Sequence, residues 1–186
     1  TIFYYPKHGG IGTIGNRLAE AVRDRTTLNA RIRRIDLRRQ TVHLSDGQVW
    51  RYDRLVSSIP LPEFLSLAGH HSAQTPLLVS TGVTVFNMGL RTTVPHDFHW
   101  CYVPNLSIPF YRFGIYSNIS KRAAPAGHSA LYIECAGPPA RLNQISFADI
   151  RSHLLRLKWI GNAKEIDVVH RLDLRYAYPV PLRGLY

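Results

Sequence analysis

The chain has 186 residues, 45% of them hydrophobic, and its 23 lysines and arginines outnumber 12 aspartates and glutamates for a formal net charge of +11. This size suits one domain or parts of two, and the apolar content is enough for a core. No apolar run is long enough for a transmembrane helix, and the basic balance favours either an anionic partner or a large solvated surface.

The first third of the chain predicts a glycine turn, a helix and a β-meander. The opening strand-like segment breaks at Pro6 and at the Gly9–Gly10 pair, and apolar residues at helical spacing then predict a helix over about residues 12–24. Alternating residues around the Asp46–Gly47 turn predict three short strands before Pro60. The meander carries five arginines that either face solvent, the more common arrangement, or bind phosphate: Arg31, Arg33, Arg34, Arg38 and Arg39.

After Pro60 the pattern changes to a short helix followed by antiparallel strands. Strands are predicted over residues 79–90, 99–104 and 110–117, and in the segment SALYIECAG. Ser146 is the predicted N-cap of a helix that stops at Gly161, and a final strand follows. This order predicts an α+β fold divided into residues 1–62, with the helix and meander, and residues 63–186, with an antiparallel sheet and a covering helix.

Motifs for metal binding and for common catalytic groups are missing from the sequence. The nine histidines are scattered, so we expect no metal site. Cys101 and Cys135 belong to no CxxC pair, which predicts buried free thiols and a reducing, cytoplasmic location. The letters GIGTIG fit GxGxxG, but Pro6 and the two residues after it interrupt the strand that a dinucleotide fingerprint requires. A turn that needs glycine is therefore favoured.

The segment WCYVPNLSIPFYRFGIYSN, residues 100–118, has a single charge, Arg112, among six aromatic residues. A strand over residues 110–117 would place Phe110, Arg112, Gly114 and Tyr116 on one face. A guanidinium in such surroundings either pairs with a carboxylate such as Glu134 or binds an anionic ligand. The residues alone leave both roles open.

Three segments, FYYPKHGGIG, WCYVPNLSIPFYRFGIYSN and HRLDLRYAYPVP, together resemble motifs of the UDP-galactopyranose mutases, especially the eukaryotic type. The GG turn, helix, meander and VSSIP strand over residues 9–60 are similar to the wider superfamily of FAD-dependent amine oxidases, protoporphyrinogen oxidases and phytoene desaturases. The resemblance implies FAD as the cofactor of a parent enzyme. It also implies that residues 1–62 are part of an FAD-binding domain and that residues 63–186 are a substrate-binding sheet domain truncated at its C-terminus.

The resemblance also implies roles for five residues, and it leaves the catalytic residues unknown. Gly9 and Gly10 resemble the turn that approaches the flavin, and Ile32 resembles the meander residue whose backbone faces the FAD adenine. Arg112 and Tyr178 resemble the arginine and tyrosine that hold the substrate pyrophosphate in the mutases. The family's N-terminal FAD-binding motif has no counterpart in the sequence, so we expect this fragment alone to lose FAD and to be inactive.

The predicted function is that of a fragment of a flavoenzyme acting on a small molecule. In the mutases, which interconvert UDP-galactopyranose and UDP-galactofuranose, reduced flavin attacks the sugar while the protein positions the substrate and neutralises charge. The alternative is a flavin amine oxidase, protoporphyrinogen oxidase or desaturase, which takes hydride from its substrate. A basic nucleic-acid-binding module is a less favoured third class, and steep salt dependence of oligonucleotide binding would mark it.

Overall fold

The computed structural model describes residues 4–70 and 78–182. Contacts group these residues into two compact units. The larger unit contains the residues up to Glu20 and Ser80–Tyr178, and the smaller contains Ala21–Val79 and the residues after Tyr178. The boundary predicted between residues 62 and 63 divides the chain by function, with cofactor binding before it and substrate binding after it. Contacts between residues do not show what a unit binds, so this division stays a prediction.

The smaller unit is a three-stranded antiparallel meander with one helix. Its elements are β1 (Ile32–Asp36), β2 (Thr41–Leu44), β3 (Val49–Arg51) and α2 (Leu61–Leu67), with a 3-10 turn at Arg23–Arg25. The strands pair in chain order, and Ile35, Val42 and Leu44 form the buried side. All five meander arginines are exposed, as expected for the solvated side of such a sheet.

The larger unit is built on a five-stranded sheet with the order β5-β6-β7-β4-β8. Its strands are β4 (Ser80–Leu90), β5 (Trp100–Tyr102), β6 (Arg112–Ile115), β7 (Ser129–Gly137) and β8 (Ile166–Pro179). Its helices are α1 (Gly12–Ala21), α3 (Tyr116–Ile119), α4 (Pro139–Leu142) and α5 (Phe147–Arg156), and a 3-10 turn spans Ala163–Glu165. The pairs β5–β6, β6–β7 and β4–β7 are antiparallel, which confirms the predicted α+β class.

The main core lies on one face of this sheet, under α5. Strand alternation directs Phe86, Phe113 and Ile133 to this face, where they pack in one cluster with Ile150 and Leu154 of α5. Helix α5 begins as predicted, because Ser146 and Asp149 form a reciprocal capping box. The opposite face carries a smaller cluster around Val83, Val85 and Tyr132. We call this second face the site face.

Two local predictions about these elements were wrong. The strand predicted over residues 110–117 begins only at Arg112, and Tyr116 starts the helical turn α3. Phe110 precedes the strand and is buried in the main core beside Trp159, so it does not share a face with Arg112.

The end of α5 also differs from the prediction. The helix stops at Arg156 rather than near Gly161, because Lys158 adopts the left-handed conformation, with φ of 57°, that ends a helix.

Candidate functional site

The centre of the site face is an ion pair between two adjacent strands. Arg112 on β6 lies directly opposite Glu134 on β7, and Nη2 of Arg112 donates to Oε1 of Glu134 at 2.5 Å. The Arg112 side chain is 26% exposed and that of Glu134 is 11% exposed. The hydroxyl of Tyr111 donates to the other carboxylate oxygen, Oε2, also at 2.5 Å. Both oxygens of one carboxylate are therefore bound by consecutive residues.

The surroundings hold the two donors of this cluster in their protonated forms. Burial raises the pKa of the Tyr111 hydroxyl, and its hydrogen bond to Glu134 raises it further. Burial acts to lower the pKa of Arg112, but its hydrogen bonds to Glu134 and Tyr102 outweigh that effect and raise it. At neutral pH the cluster therefore presents a cationic guanidinium and a neutral phenol.

Aromatic rings surround the guanidinium on the site face. The Cζ atom of Arg112 lies 5.5 Å from the centroid of the Tyr132 ring, and the rings of Tyr132 and Tyr116 are 4.7 Å apart. A Cβ atom at Gly114 would overlap the Tyr132 ring, so glycine is required for this ring to lie against β6. The hydroxyl of Tyr116 donates to Oδ1 of Asn87 at 3.1 Å. The ring positions next to Arg112 are thus fixed by packing.

The Arg112 guanidinium keeps unused hydrogen-bonding capacity. It has five N–H donors, and its hydrogen bond to Glu134 uses only part of them. Among the described residues, the buried side-chain nitrogen atoms without a hydrogen-bond partner are Nε of Arg112 and Nε2 of His96. Tyr102, which pairs with Arg112 across β5 and β6, is 64% exposed, so solvent reaches this part of the face. The arrangement can accept an anion at the exposed part of the guanidinium.

The GG turn has the backbone conformation that glycine permits. Gly9 and Gly10 have φ angles of 73° and 67°, in the left-handed region. The hydroxyl of Thr13 donates to the carbonyl of His8 at 3.1 Å, and a Cβ atom at Gly9 would overlap that hydroxyl. At the start of α1, a Cβ atom at Gly12 would meet nothing within 4 Å, so there is room beside the turn.

Two residues just before this turn interact with α3 and with the loop that follows it. Nη1 of Arg122, which lies three residues after the end of α3, donates to Nδ1 of His8 at 2.6 Å. Burial raises the pKa of Tyr116, and the charges of Glu134 and Tyr5 raise it further. The charge of Tyr5 therefore reaches Tyr116, whose ring lies against that of Tyr132.

The other two residues with predicted roles occupy strands. Ile32 begins β1, the edge strand of the meander, and pairs with Leu44. Tyr178 is the penultimate residue of β8 and is 53% exposed. Burial and Glu134 raise the pKa of Tyr111, and the charge of Tyr178 adds to this effect. The predicted roles of these residues in binding ligands stay predictions.

Sequence reasoning missed three members of the cluster, namely Tyr102, Tyr111 and Tyr132. A signal for Tyr132 was present, since alternation in SALYIECAG places Tyr132 and Glu134 on the face opposite Leu131, Ile133 and Cys135. Tyr111 gave no such signal, because strand alternation assigned it to the wrong face.

Comparison with known proteins decides the family. The sequence pattern of the flavin containing amine oxidoreductase family matches residues 2–167. The chain belongs to this family. Membership confirms the superfamily predicted from the motifs, and it agrees with FAD as the expected cofactor.

Solved structures share the fold over most of the chain. The crystal structure of reduced UDP-galactopyranose mutase matches 97% of the chain with a TM-score of 0.85 and 23% identity, and the match covers 41% of the mutase. A putrescine oxidase redesigned in its cofactor binding matches 92% of the chain, with a TM-score of 0.63, 17% identity and 41% coverage of the oxidase. A protein assigned as a protoporphyrinogen oxidase, from Exiguobacterium sp. 255-15, matches 77%, with a TM-score of 0.60, 17% identity and 33% coverage of that protein. At these identities the likeness shows the fold, and the chain spans between 33% and 41% of each of these proteins.

The described ranges contain neither a helix suited to cross a membrane nor a cluster of metal-binding side chains. In residues 4–70 and 78–182, no helix combines the length and apolar character needed to cross a bilayer. Within the same ranges, no group of three or more histidine, cysteine, aspartate or glutamate side chains is arranged to hold a metal ion.

Proposed function

We propose that this chain forms the substrate-binding sheet, and part of the FAD-binding region, of a flavoenzyme that interconverts the pyranose and furanose forms of a UDP-sugar. The observation that carries the proposal is the Arg112 guanidinium, fixed by Glu134 among aromatic rings. The high structural similarity to reduced UDP-galactopyranose mutase supports it.

In this proposal, Arg112 and Tyr178 bind the substrate pyrophosphate. A planar guanidinium gives charge-assisted hydrogen bonds to phosphate oxygens, and neighbouring rings that exclude water strengthen the attraction. Glu134 occupies one edge of the guanidinium, so the anion would use the remaining N–H groups. The aromatic rings of Tyr132 and Tyr116 would pack against the sugar.

The residues proposed to approach FAD fit such a role. The left-handed glycines of the GG turn and the space beside Gly12 allow close approach of a flat ring system. Ile32 lies on an edge strand, where half of the backbone groups point away from β2 and can face an adenine. FAD, when bound, supplies the chemistry at the sugar, and Gly9, Gly10 and Ile32 contribute binding and orientation.

A second candidate function is oxidation of an apolar amine, porphyrinogen or polyene. The observation that favours it is a cavity of about 380 Å³ at the end of the site face. Its lining is mainly apolar and includes Ala123, Ala124, Pro125 and Val168. An apolar substrate would bury its surface there, whereas a UDP-sugar would not need this cavity.

The flavin-loaded enzyme that contains this chain distinguishes the two functions. We expect the reduced enzyme to convert UDP-galactopyranose to UDP-galactofuranose, measured by chromatography of the nucleotide sugars. Under anaerobic conditions, we expect the oxidised enzyme to show no flavin bleaching with putrescine or protoporphyrinogen. Bleaching by either compound without sugar conversion would favour the oxidase.

One substitution tests the proposed anion contact. Arg112→Lys keeps the charge but loses the planar fork, and we expect UDP binding to weaken by about 1–3 kcal/mol in calorimetric titrations. The matched control is Arg39→Lys, at an exposed meander position, which should leave UDP binding unchanged. Equal UDP affinity in wild type and Arg112→Lys would contradict the contact.

A further inference from the structure

Glu134 places a carboxylate next to the site proposed to bind an anion. Charge alone makes this unfavourable, because a negative group near a pyrophosphate repels it. The Glu134 side chain is nevertheless only 11% exposed, and both of its oxygens are hydrogen-bonded, to Arg112 and to Tyr111. If an anion binds here, Glu134 must therefore contribute something to binding that outweighs its repulsion of the anion.

We propose that Glu134 is a positioning residue, which holds the guanidinium of Arg112 in the one orientation that binds the pyrophosphate. This inference rests on the proposed function. Glu134 does not contact the substrate and acts only through Arg112.

The sheet gives Glu134 a rigid base for this role. It lies in the middle of β7, between Arg112 on β6 and Val85 on β4, and strands pair with it on both sides. Its backbone carbonyl accepts from the N–H of Tyr111 at 2.9 Å. A carboxylate on such a backbone has few orientations available, and the hydrogen bond from the Tyr111 hydroxyl selects one of them.

Arg112 itself has a long side chain that needs such support. Several rotatable bonds separate its guanidinium from β6, and an unsupported arginine samples many orientations. The hydrogen bond to Oε1 of Glu134 fixes one edge of the guanidinium, and the Tyr132 ring lies along its side. The hydrogen bond to Glu134 thereby sets which N–H groups face a ligand. Preorganisation of this kind improves binding because less freedom is lost when the ligand arrives.

The charge effect and the positioning effect of Glu134 predict opposite results. If Glu134 acted through its charge alone, removing the carboxylate would strengthen binding of UDP. If it positions Arg112, removing both oxygens would weaken that binding although a repulsive charge is lost. Glu134→Gln and Glu134→Ala remove the same charge, but only glutamine keeps the shape and a hydrogen-bond acceptor for Arg112.

The experiment measures UDP binding by calorimetry for the flavin-loaded enzyme and these two variants. We expect Glu134→Ala to weaken binding by at least about tenfold, the scale of a lost charge-assisted hydrogen bond. We expect Glu134→Gln to stay within about threefold of wild type. Titrations are run well below the melting temperature of the least stable variant, and near-UV circular dichroism checks that each variant is folded.

A double-mutant cycle separates positioning from general destabilisation. In an Arg112→Lys background, Glu134→Ala should change UDP affinity by less than about twofold, because no guanidinium remains to be oriented. A structural role alone would weaken binding equally in both backgrounds, and that result would overturn the inference.

The outcomes also separate this inference from the proposed function. If Arg112→Lys weakens UDP binding while Glu134→Ala leaves it equal or tighter, the positioning role is wrong and the anion site stands. If the wild-type enzyme binds no UDP, the proposed function is wrong and the inference falls with it.

Discussion

Tyr111 and Arg112 are consecutive residues, yet their side chains bind the two oxygens of the same carboxylate, that of Glu134. In a regular strand, consecutive side chains point to opposite faces. Here the strand begins at Arg112, so the backbone at Tyr111 lies outside the regular alternation. The start of β6 after Pro109 therefore allows one carboxylate to receive a cationic and a neutral donor at once.

The pair formed by Arg112 and Glu134 should contribute to stability as well as to binding. Arg112→Leu leaves a mostly buried carboxylate without its cation, and we expect it to lower the free energy of unfolding by about 1–3 kcal/mol. Urea denaturation at pH 7 measures this change. Combining it with Glu134→Gln should restore part of the loss, because the uncompensated charge is then removed. A double variant less stable than Arg112→Leu would contradict this account.

Gly114 should be needed for the position of the Tyr132 ring. Gly114→Ala introduces a Cβ atom that overlaps this ring, which must then move away from β6 and from Arg112. We expect a loss of about 1–3 kcal/mol in the free energy of unfolding and a changed near-UV circular dichroism spectrum. The matched control is Gly15→Ala in α1, where nothing lies within 4 Å of the added Cβ atom. That substitution should raise stability by up to about 1 kcal/mol.

The sequence predicted the elements of this fold well because their signals are local. The alternation in VSTGVTVFNMGL predicted β4, and Ser146 as an N-cap predicted the start of α5. The candidate site was predictable only in part. Arg112 was conspicuous as a lone charge, but its partner lies 22 residues away, and strand pairing rather than sequence spacing brings them together. The direction of the Tyr111 side chain depends on the residue at which β6 begins, and the periodicity of the sequence does not determine that residue.

The buried thiol of Cys135 should make stability sensitive to alkaline pH. Burial raises its pKa from 9.0 in the unfolded chain to about 12 in the folded protein. The unfolded state therefore loses this proton first, and the associated stability is present below pH 9.0 and lost as the pH rises towards about 12. Cys135→Val removes the titrating group and keeps an apolar side chain. We expect the difference in unfolding free energy between wild type and this variant to be constant below pH 9.0 and to shift against wild type above it. A difference in unfolding free energy that does not depend on pH would contradict the raised pKa of the Cys135 thiol.

Flavin binding should depend on the backbone conformation of the GG turn at Gly9. Its φ of 73° is strained for any residue with a Cβ atom, and alanine there would also displace the hydroxyl of Thr13 from the carbonyl of His8. We expect Gly9→Ala to lower the free energy of unfolding by about 1–2 kcal/mol and to weaken FAD binding in the enzyme, measured by fluorescence during flavin titration. Gly127→Ala is the matched control, because Gly127 has a similar φ of 76° with nothing within 4 Å of the added Cβ atom. The control should show comparable strain with unchanged flavin affinity. If both variants bind FAD as tightly as wild type, the turn does not approach the flavin, and Gly9 serves only the local backbone.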